Sequence, residues 1–314
     1  MTHAIVAHAY GEPDQLEYVS VVVAPPGEGE VTVEVKAAGV NPSDLKTLRG
    51  EFGRSATMPL RLGAELSGVV TEVGPNAVGA AGPISVGDEV IGFRVPGAFA
   101  EVVTAKATAI FPKPANLSWE EAAGLMLVGT TAAHLLEATS VSEGDRVLVH
   151  GASGGVGSLV VQLAIERGAV VVGTAGASSL ERVRELGATA VEYGAGLADR
   201  VRAVFPDGVD VALDTVGTNE AVDVSLELVS DRSRIASIAA FAYGGEKGIV
   251  LLGGGAGADP GTQIRNAAKL PLVEFAGSGS LKIAVGKTFP LQDAAAALDY
   301  VAQGHSGGKV VLIP

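Results

Sequence analysis

Apolar and polar positions alternate along the first third of the chain, in short segments separated by turn residues. The segment EVTVEVKAAGV alternates residue by residue, and LSGVVTEVGP is an apolar run that ends at Gly-Pro. VGDEVIGF and GAFAEVVTA follow at short intervals. Many short strands with frequent turns are typical of a barrel or sandwich, so we predict that this region is mainly β.

The pattern changes after IFPKPANLSWEEAAGL, where Ser118 and Glu121 have the spacing of a capping box that begins an apolar helix. Strands and helices then alternate, which predicts an α/β domain with a doubly wound parallel sheet of six strands. The predicted strands are RVLVHG, AVVVGTAG, TAVEYG, VDVALDTVG, RIASIAA and GIVLLGGG.

We place a domain boundary near Leu117 and assign residues 118–279 to the α/β domain. The tail, residues 280–314, contains a predicted helix at Leu291 to Val301 and one terminal strand, KVVLIP. That strand has no obvious place in the α/β domain, so we expect it to return to the first domain, which then comprises residues 1–117 and 280–314.

Composition limits the class of partner. The 314 residues suffice for two domains, and no apolar run reaches the roughly 18 residues that span a membrane. A net charge of −13 disfavours nucleic acid and anionic lipid as partners. The chain contains no cysteine, and its start has no basic segment followed by an apolar core. We therefore expect a cytoplasmic protein whose partner is neither nucleic acid nor a membrane.

The stretch VLVHGASGGVGSLVVQLA joins a predicted strand to a predicted helix through a glycine-rich turn. Ala152, Gly154 and Gly157 stand where the dinucleotide fingerprint G-x-G-x-x-G is expected. Gly154 lets the backbone approach a pyrophosphate, Gly157 lets helix and strand pack closely, and the helix N-terminus offers N–H donors. The candidate cofactor-binding residues of this turn are Ala152, Ser153, Gly154, Gly155, Val156 and Gly157.

The next strand, VVVGTAGASS, contains Thr174 and ends without the carboxylate that usually binds the ribose 2′-hydroxyl of NAD. This absence favours NADPH, with NADH tolerated. Ser178, Ser179, Arg182 or Arg184 are candidate partners of a 2′-phosphate, although both arginines are equally compatible with a solvated helix face. Val216 in LDTVG and Gly253 follow later strands, and the carboxyl ends of parallel strands line the cofactor crevice.

Nine segments in order resemble the medium-chain dehydrogenase/reductase superfamily, and within it the zinc-independent quinone oxidoreductase (zeta-crystallin-like) branch. The resemblance implies a GroES-like mainly-β domain and a Rossmann domain. Zinc alcohol dehydrogenases have a cysteine at the position of Asn41 and a histidine at that of Ala64, so we expect no metal site. Among the matching segments are AAGVNPSDLKTLRG, GAELSGVVTEVG, GASGGVG, VDVALDTVG and GKVVLIP.

The resemblance implies metal-free hydride delivery to a quinone or to an α,β-unsaturated carbonyl, where negative charge develops on the carbonyl oxygen. Asn41, Asp44 and Lys46 in NPSDLKTLRG are the candidate catalytic residues. Lys46 can donate to that oxygen, or it can be an ordinary surface lysine. Asn41 can hydrogen-bond the substrate or the nicotinamide ribose, and Asp44 can simply cap the turn.

Further residues follow from the resemblance. Thr130 and Thr131 are similar to a threonine near the nicotinamide carboxamide, although packing on a helix face explains them as well. Tyr193 is similar to a tyrosine that stacks near adenine. His134, alone on an apolar helix, is interpreted as a packing residue. The segments from Gly50 to Leu60 and from Phe241 to Gly248 are interpreted as loops that shape the substrate pocket.

Two other functions remain open. One is an enoyl-thioester reductase, which favours a basic patch built from Lys46, Arg49, Arg54 and Arg61. The other is a non-enzymatic protein that binds or senses NADPH. The apolar last strand, GIVLLGGG, is predicted at a sheet edge, and the resemblance implies that two copies pair there as a homodimer.

Overall fold

A computed structural model describes residues 1–304 and 307–314 of the protein. The described strands are β1 (Thr2–Ala7), β2 (Leu16–Val21), β3 (Glu30–Val40), β4 (Leu60–Arg61), β5 (Glu65–Val73), β6 (Val78–Gly79), β7 (Gly82–Pro83), β8 (Glu89–Phe93), β9 (Val102–Lys106), β10 (Ile110–Pro112), β11 (Arg146–His150), β12 (Val170–Ala175), β13 (Thr189–Glu192), β14 (Val211–Asp214), β15 (Ile235–Ser237), β16 (Val250–Leu251), β17 (Val285–Pro290) and β18 (Lys309–Ile313).

The described α-helices are α1 (Pro42–Arg49), α2 (Trp119–Ala123), α3 (Met126–Ala138), α4 (Gly155–Glu166), α5 (Leu180–Glu185), α6 (Leu197–Val204), α7 (Asn219–Leu228), α8 (Phe241–Lys247), α9 (Thr262–Gly277) and α10 (Ala294–Ala302). Within the described ranges, no helix has both the length and the apolar character needed to cross a membrane.

The chain divides into two compact units. Unit 1 comprises Met1–Leu127 and Leu270–Pro314, and unit 2 comprises Val128–Lys269. The predicted boundaries at 117 and 280 lie ten residues away from these divisions. Residues 118–127 lie in unit 1 because α2 packs against β3 and β5. The sequence pattern marks where α2 begins, but it does not show which sheet the helix packs on.

Unit 1 is mainly β, as the strand pattern predicts. Its main sheet has the order β10-β8-β5-β3-β18-β17, with β9 also paired to β3. Smaller sheets have the orders β2-β1-β4 and β6-β7. Strand β3 contributes Val31, Val33, Val35, Ala38 and Val40 to this core. The largest fully buried members of the core include Ile5, Leu48, Leu66, Phe99 and Ile110.

The last strand, β18, pairs antiparallel with β3, so the C-terminal segment lies beside a strand formed by residues 30–40. The sequence predicted one strand in this tail, but the structure has two, because β17 runs parallel to β18. Most of the side chains of β17 are exposed or half-buried, so it lacks the apolar alternation that identifies a strand. The predicted helix from 291 begins with a 3₁₀ turn at Leu291–Asp293 and continues as α10.

Unit 2 contains the predicted doubly wound sheet. All its strands are parallel, in the order β13-β12-β11-β14-β15-β16, and β16 is the edge strand as expected. This order places β11 and β14 beside each other at the centre, where the direction of strand addition reverses. In sheets of this type ligands bind outside the carboxyl ends of the strands at that point.

The prediction of a loop from Phe241 to Gly248 is wrong, because residues 241–247 form α8. Its two adjacent glycines have low helix propensity, which hides the helix in the sequence. Packing outweighs that propensity: a Cβ on Gly244 would lie 3.0 Å from a side-chain atom of Ile249 and 3.1 Å from one of Leu251. The glycine therefore lets α8 lie directly against the edge of the sheet.

Candidate active site

The glycine-rich turn lies between β11 and α4 in unit 2. Gly151 has φ 75°, and Gly154 is the N-cap of α4. A Cβ on Gly157 would lie 2.1 Å from the Gly151 carbonyl oxygen, so only glycine allows this contact between helix and turn. A Cβ on Gly154 would have only that same oxygen, at 3.3 Å, within 4 Å. The turn therefore leaves open space beside its backbone.

This turn fits a dinucleotide pyrophosphate. The first-turn amides of a helix have no acceptor within the helix, and in α4 they belong to Gly155, Val156 and Gly157. Small side chains at these positions leave the amides accessible to an anion, and the helix dipole favours negative charge there. Ala152 is buried and Ser153 is half-buried beside them. The residues predicted from the fingerprint thus follow one another through the turn and the first turn of α4, with Ala152 and Gly157 buried.

Hydrogen bonds between neighbouring strand ends hold this turn. Thr174 Oγ1, on β12, accepts from the Gly151 amide at 3.2 Å, and Thr215 Oγ1 donates to the His150 carbonyl at 2.7 Å. Thr174 is buried, and its side chain contacts the glycine turn through this hydrogen bond. These bonds fix the carboxyl ends of three adjacent strands relative to one another.

Asp214, at the end of β14, organises the next part of the same edge, and sequence reasoning missed it. Its buried carboxylate accepts from the Val216 amide at 2.9 Å, from the Gly217 amide at 3.0 Å and from Ser237 Oγ at 2.6 Å. Val216, which these bonds position, is 49% exposed. The available signal was a single acidic residue at the end of an otherwise apolar strand.

The ends of β12 and β13 lie side by side beyond the glycine turn. Tyr193 is 47% exposed, and its hydroxyl lies 3.1 Å from the position that a Cβ on Gly176 would take. Ser178 and Ser179 lie in a 3₁₀ turn, and Arg182 is half-buried on α5. Arg184 pairs with Glu181 at 2.9 Å and is thus partly committed to its own helix. No acidic side chain follows β12 in this turn.

Helix α3 carries three buried polar side chains, those of Thr130, Thr131 and His134. Arg265 Nη1 donates to Thr131 Oγ1 at 2.9 Å, and Arg265 Nε donates to His134 Nδ1 at 3.3 Å. Burial, and then the charge of Arg265, lowers the pKa of His134. Among the described residues, His134 Nε2 has no hydrogen-bond partner, and Asp259 Oδ2 lies 3.5 Å away. His134 is therefore buried as predicted, but it is not fully hydrogen-bonded.

Gly253, the last predicted cofactor residue, follows β16 with φ 117°, and its amide donates to the Asp259 carbonyl at 2.8 Å.

In unit 1, the predicted catalytic residues lie at the start of α1. The Asn41 amide donates to Asp44 Oδ2 at 2.8 Å, and the Asp44 amide donates to the Asn41 carbonyl at 3.0 Å. Asp44 thus has the capping role that the sequence left open. Burial raises its pKa to about 7, and the Glu65 carboxylate adds to this rise while Lys309 opposes it. Lys46 lies two residues further along the helix and is half-buried.

The Asn41 side chain belongs to a buried cluster that the sequence did not indicate. Its Nδ2 donates to Glu65 Oε1 at 2.9 Å, and its Oδ1 accepts from Lys309 Nζ at 2.5 Å. Lys309 Nζ also donates to Glu65 Oε1 at 2.7 Å. The predicted contact of Asn41 with substrate or ribose stays a prediction, and within the chain both ends of its amide already have partners. The missed signal was a charged residue at the start of each of two apolar strands.

Within residues 1–304 and 307–314, no group of three histidine, aspartate or glutamate side chains is arranged to hold a metal ion. Asn41 and Ala64, which stand where the resemblance implies zinc ligands in zinc alcohol dehydrogenases, are not part of such a group.

Residues 27–115 match the family profile described as the alcohol dehydrogenase GroES-like domain, and residues 186–312 match the profile described as zinc-binding dehydrogenase. The chain is 32% identical to the 2-haloacrylate reductase of a Burkholderia species, with 100% of this chain and 99% of that protein covered. The chain belongs to the medium-chain dehydrogenase/reductase superfamily. The GroES-like and Rossmann architecture expected from the sequence is thereby confirmed.

The chain is also similar to other proteins. The chain is 31% identical to the chloroplastic NADPH-dependent alkenal/one oxidoreductase of Arabidopsis thaliana, covering 97% of this chain and 78% of that protein. It is 33% identical over 95% of its length to the mycoketide-CoA synthase of Mycobacterium tuberculosis, but spans only 7% of that protein. The solved Escherichia coli quinone oxidoreductase complexed with NADPH superimposes with a TM-score of 0.84 at 28% identity, covering 99% of this chain and 100% of that one.

The raised pKa of Asp44 predicts a pH-dependent stability of unit 1. Between its usual pKa of 3.8 and about 7, the folded state holds a proton that the unfolded state has lost. The stabilisation is therefore complete at low pH and is lost as the pH rises through 7. We expect the free energy of unfolding to fall by about 1.4 kcal/mol from pH 6 to pH 8, and Asp44→Asn to abolish that fall.

Urea unfolding followed by the fluorescence of Trp119, the only tryptophan and a member of unit 1, measures this free energy. Asp88→Asn is the matched control. Asp88 also accepts a hydrogen bond from a backbone amide, that of Ser85 at 2.8 Å, but its side chain is exposed. An equal pH dependence in Asp44→Asn and wild type would show that Asp44 does not titrate in this range.

Proposed function

We propose that the protein is an NADPH-dependent, metal-independent oxidoreductase that reduces a quinone or an α,β-unsaturated carbonyl. The observation that carries the proposal is the glycine turn at the centre of a doubly wound sheet, in a chain of this superfamily. The resemblance to proteins described as quinone oxidoreductase and alkenal/one oxidoreductase supports the substrate class. NADPH, when bound, supplies a hydride.

The cofactor-holding residues of the proposal all lie in unit 2. The amides of Gly155, Val156 and Gly157 bind the pyrophosphate, because they are first-turn donors beside an open backbone. Tyr193 and the serines at 178 and 179 bind the adenosine end, and the turn after β12 has no carboxylate that would repel a 2′-phosphate. Further contacts are assigned to Thr130, Ala152, Ser153, Gly154, Thr174, Arg182, Val216 and Gly253.

Lys46 is the proposed donor to the substrate oxygen. Negative charge develops on that oxygen as the conjugated carbon is reduced, and a nearby ammonium stabilises the charge or supplies a proton. Asp44 holds the helix that carries Lys46. Independence from metal is proposed because neither Asn41 nor Ala64 can replace a zinc-binding cysteine or histidine.

An enoyl-thioester reductase is the second candidate, because the chain matches a segment of mycoketide-CoA synthase. The structure weakens one argument for it. Arg49 donates three hydrogen bonds to Glu12, the shortest at 2.7 Å, and Arg54 lies over the Tyr10 ring at 5.5 Å. Two of the four basic residues of the expected patch thus already have partners. We therefore place small quinones and enones first.

Initial rates of NADPH and NADH oxidation against simple quinones, 2-alkenals, enones and enoyl-CoA esters, with and without a chelator, test the proposed function. We expect NADPH-preferring turnover of quinones or enones that the chelator does not change. Turnover of enoyl-CoA esters alone would establish the second candidate. NADPH binding without turnover of any class would favour the non-enzymatic alternative.

Lys46→Met is expected to lower kcat at least about 10-fold, because the oxygen loses its charged donor. The dissociation constant of NADPH, measured by fluorescence titration, should change less than twofold, since the proposed cofactor residues are in unit 2. Lys106→Met, at an exposed lysine of β9, is the control. Equal kcat values for the two variants would refute the role of Lys46.

We also propose a homodimer in which β16 pairs with its counterpart. This strand lies at the sheet edge and its two residues are half-buried in the single chain. Light scattering coupled to size exclusion should give twice the chain mass of 31.4 kDa. Leu251→Pro should shift it toward one chain, because the amide of Leu251 faces the outer edge of the sheet, whereas the Leu252 amide donates to Ser237 inside it. A single-chain mass for the wild type at micromolar concentration would contradict the dimer.

The cytoplasmic location stays a prediction.

A further inference from the structure

We infer that Lys309 is a positioning residue for the reduction: through Glu65 and Asn41 it fixes the first turns of α1 and α3, and with α1 the side chain of Lys46. The inference rests on the proposed function, which assigns Lys46 to the substrate oxygen. It adds a residue at the far end of the chain that has no direct contact with the reacting groups.

The ammonium of Lys309 is fully used inside unit 1. A lysine has three N–H donors, and here they reach Glu65 Oε1 at 2.7 Å, Asn41 Oδ1 at 2.5 Å and the Val40 carbonyl at 3.4 Å. The residue is 4% exposed. All three acceptors therefore have one internal cation as their common partner.

Glu65 connects this cation to two helices. Its Oε1 accepts from Lys309 and from Asn41, the N-cap residue of α1. Its Oε2 accepts from the amide of Leu127, the second residue of α3, at 2.9 Å. A carboxylate at a helix N-terminus satisfies an otherwise unpaired amide and interacts favourably with the helix dipole. One buried carboxylate thus holds the beginning of both helices.

Two glycines leave the space that the cluster needs. A Cβ on Gly39 would lie 2.5 Å from Glu65 Oε1 and 2.6 Å from the Ala123 carbonyl oxygen. A Cβ on Gly124 would lie 3.0 Å from Lys309 Cγ. Neither glycine has a positive φ, so backbone conformation does not require glycine at either position. Close packing around the ion pair explains both.

Stability alone does not account for the pair. Taking two charges out of water costs free energy, and a well-packed apolar pair is often at least as stable. An apolar pair cannot make directional contacts. Only hydrogen-bonding groups can hold both the Asn41 side-chain amide and the Leu127 N–H in fixed orientations. Lys46 lies on the helix that begins at Asn41, and a displacement of about 1 Å of a catalytic group can cost about 100-fold in rate.

The first test compares Lys309→Met with Lys287→Met, a control in which an exposed lysine of the neighbouring strand β17 is changed in the same way. We expect Lys309→Met to lower kcat about 10-fold or more, with the dissociation constant of NADPH changed less than twofold. Rates are normalised to the fraction of chains that bind NADPH. A normalised kcat within twofold of the control would overturn the inference.

Chemical rescue distinguishes an effect of the positive charge at position 309 from an effect of side-chain packing at that position. Because the chain has no cysteine, Lys309→Cys has a single thiol. Alkylation in urea with 2-bromoethylamine places an ammonium at the distance of the lysine head, whereas iodoacetamide adds a neutral group; both products and wild type are refolded in parallel. We expect the aminoethyl product to recover kcat to within about threefold of refolded wild type. Equal kcat values for the two products would contradict the inference.

Glu65→Gln provides a second variant if changes at position 309 prevent folding. It keeps the shape of the side chain but removes the charge and one acceptor, so the same loss of kcat at constant NADPH affinity is expected. Full activity of this variant would also overturn the inference. Failure of the proposed function is recognised separately: if Lys46→Met is fully active, the role of Lys46 fails, whereas an impaired Lys46→Met beside a fully active Lys309→Met refutes only the positioning role.

Discussion

A carboxylate buried in an apolar sheet must have all its hydrogen bonds and a nearby positive charge, and Glu65 meets this requirement with groups from distant parts of the chain. The ammonium comes from β18, the amide from the residue after β3, and the backbone donor from α3. The C-terminal strand is therefore needed in unit 1 for charge balance as well as for sheet pairing. The position of α1, and of the lysine proposed to act on substrate, depends on this balance.

In unit 2 the electrostatic requirement is different, because an anionic cofactor must bind to a chain with a net charge of −13. The strand ends around the glycine turn offer mainly neutral donors: backbone amides, threonine and serine hydroxyls and a tyrosine. Asp214 is acidic, but its carboxylate is occupied by two backbone amides and Ser237. Its hydrogen bonds are thus directed into the protein, where they shape the loop that presents Val216.

The features that the sequence predicted well depend on neighbours in the chain. The glycine turn, the capping box at Ser118 and the six strands of the parallel sheet each have a local pattern. The Glu65–Lys309 pair could not be predicted in the same way, because its members are far apart in the sequence and each resembles an ordinary charged residue at a strand start. Strand β17 and helix α8 were missed because tertiary pairing, rather than periodicity or propensity, stabilises them.

We propose that the conjugated carbon of the substrate receives a hydride directly from NADPH, while a proton arrives separately. The most direct measurement uses NADPH labelled with deuterium at the transferred position and a simple enone, followed by mass spectrometry and NMR of the product. Direct transfer predicts one deuterium on the carbon β to the carbonyl, unchanged by a chelator. A product without deuterium at that carbon would contradict it.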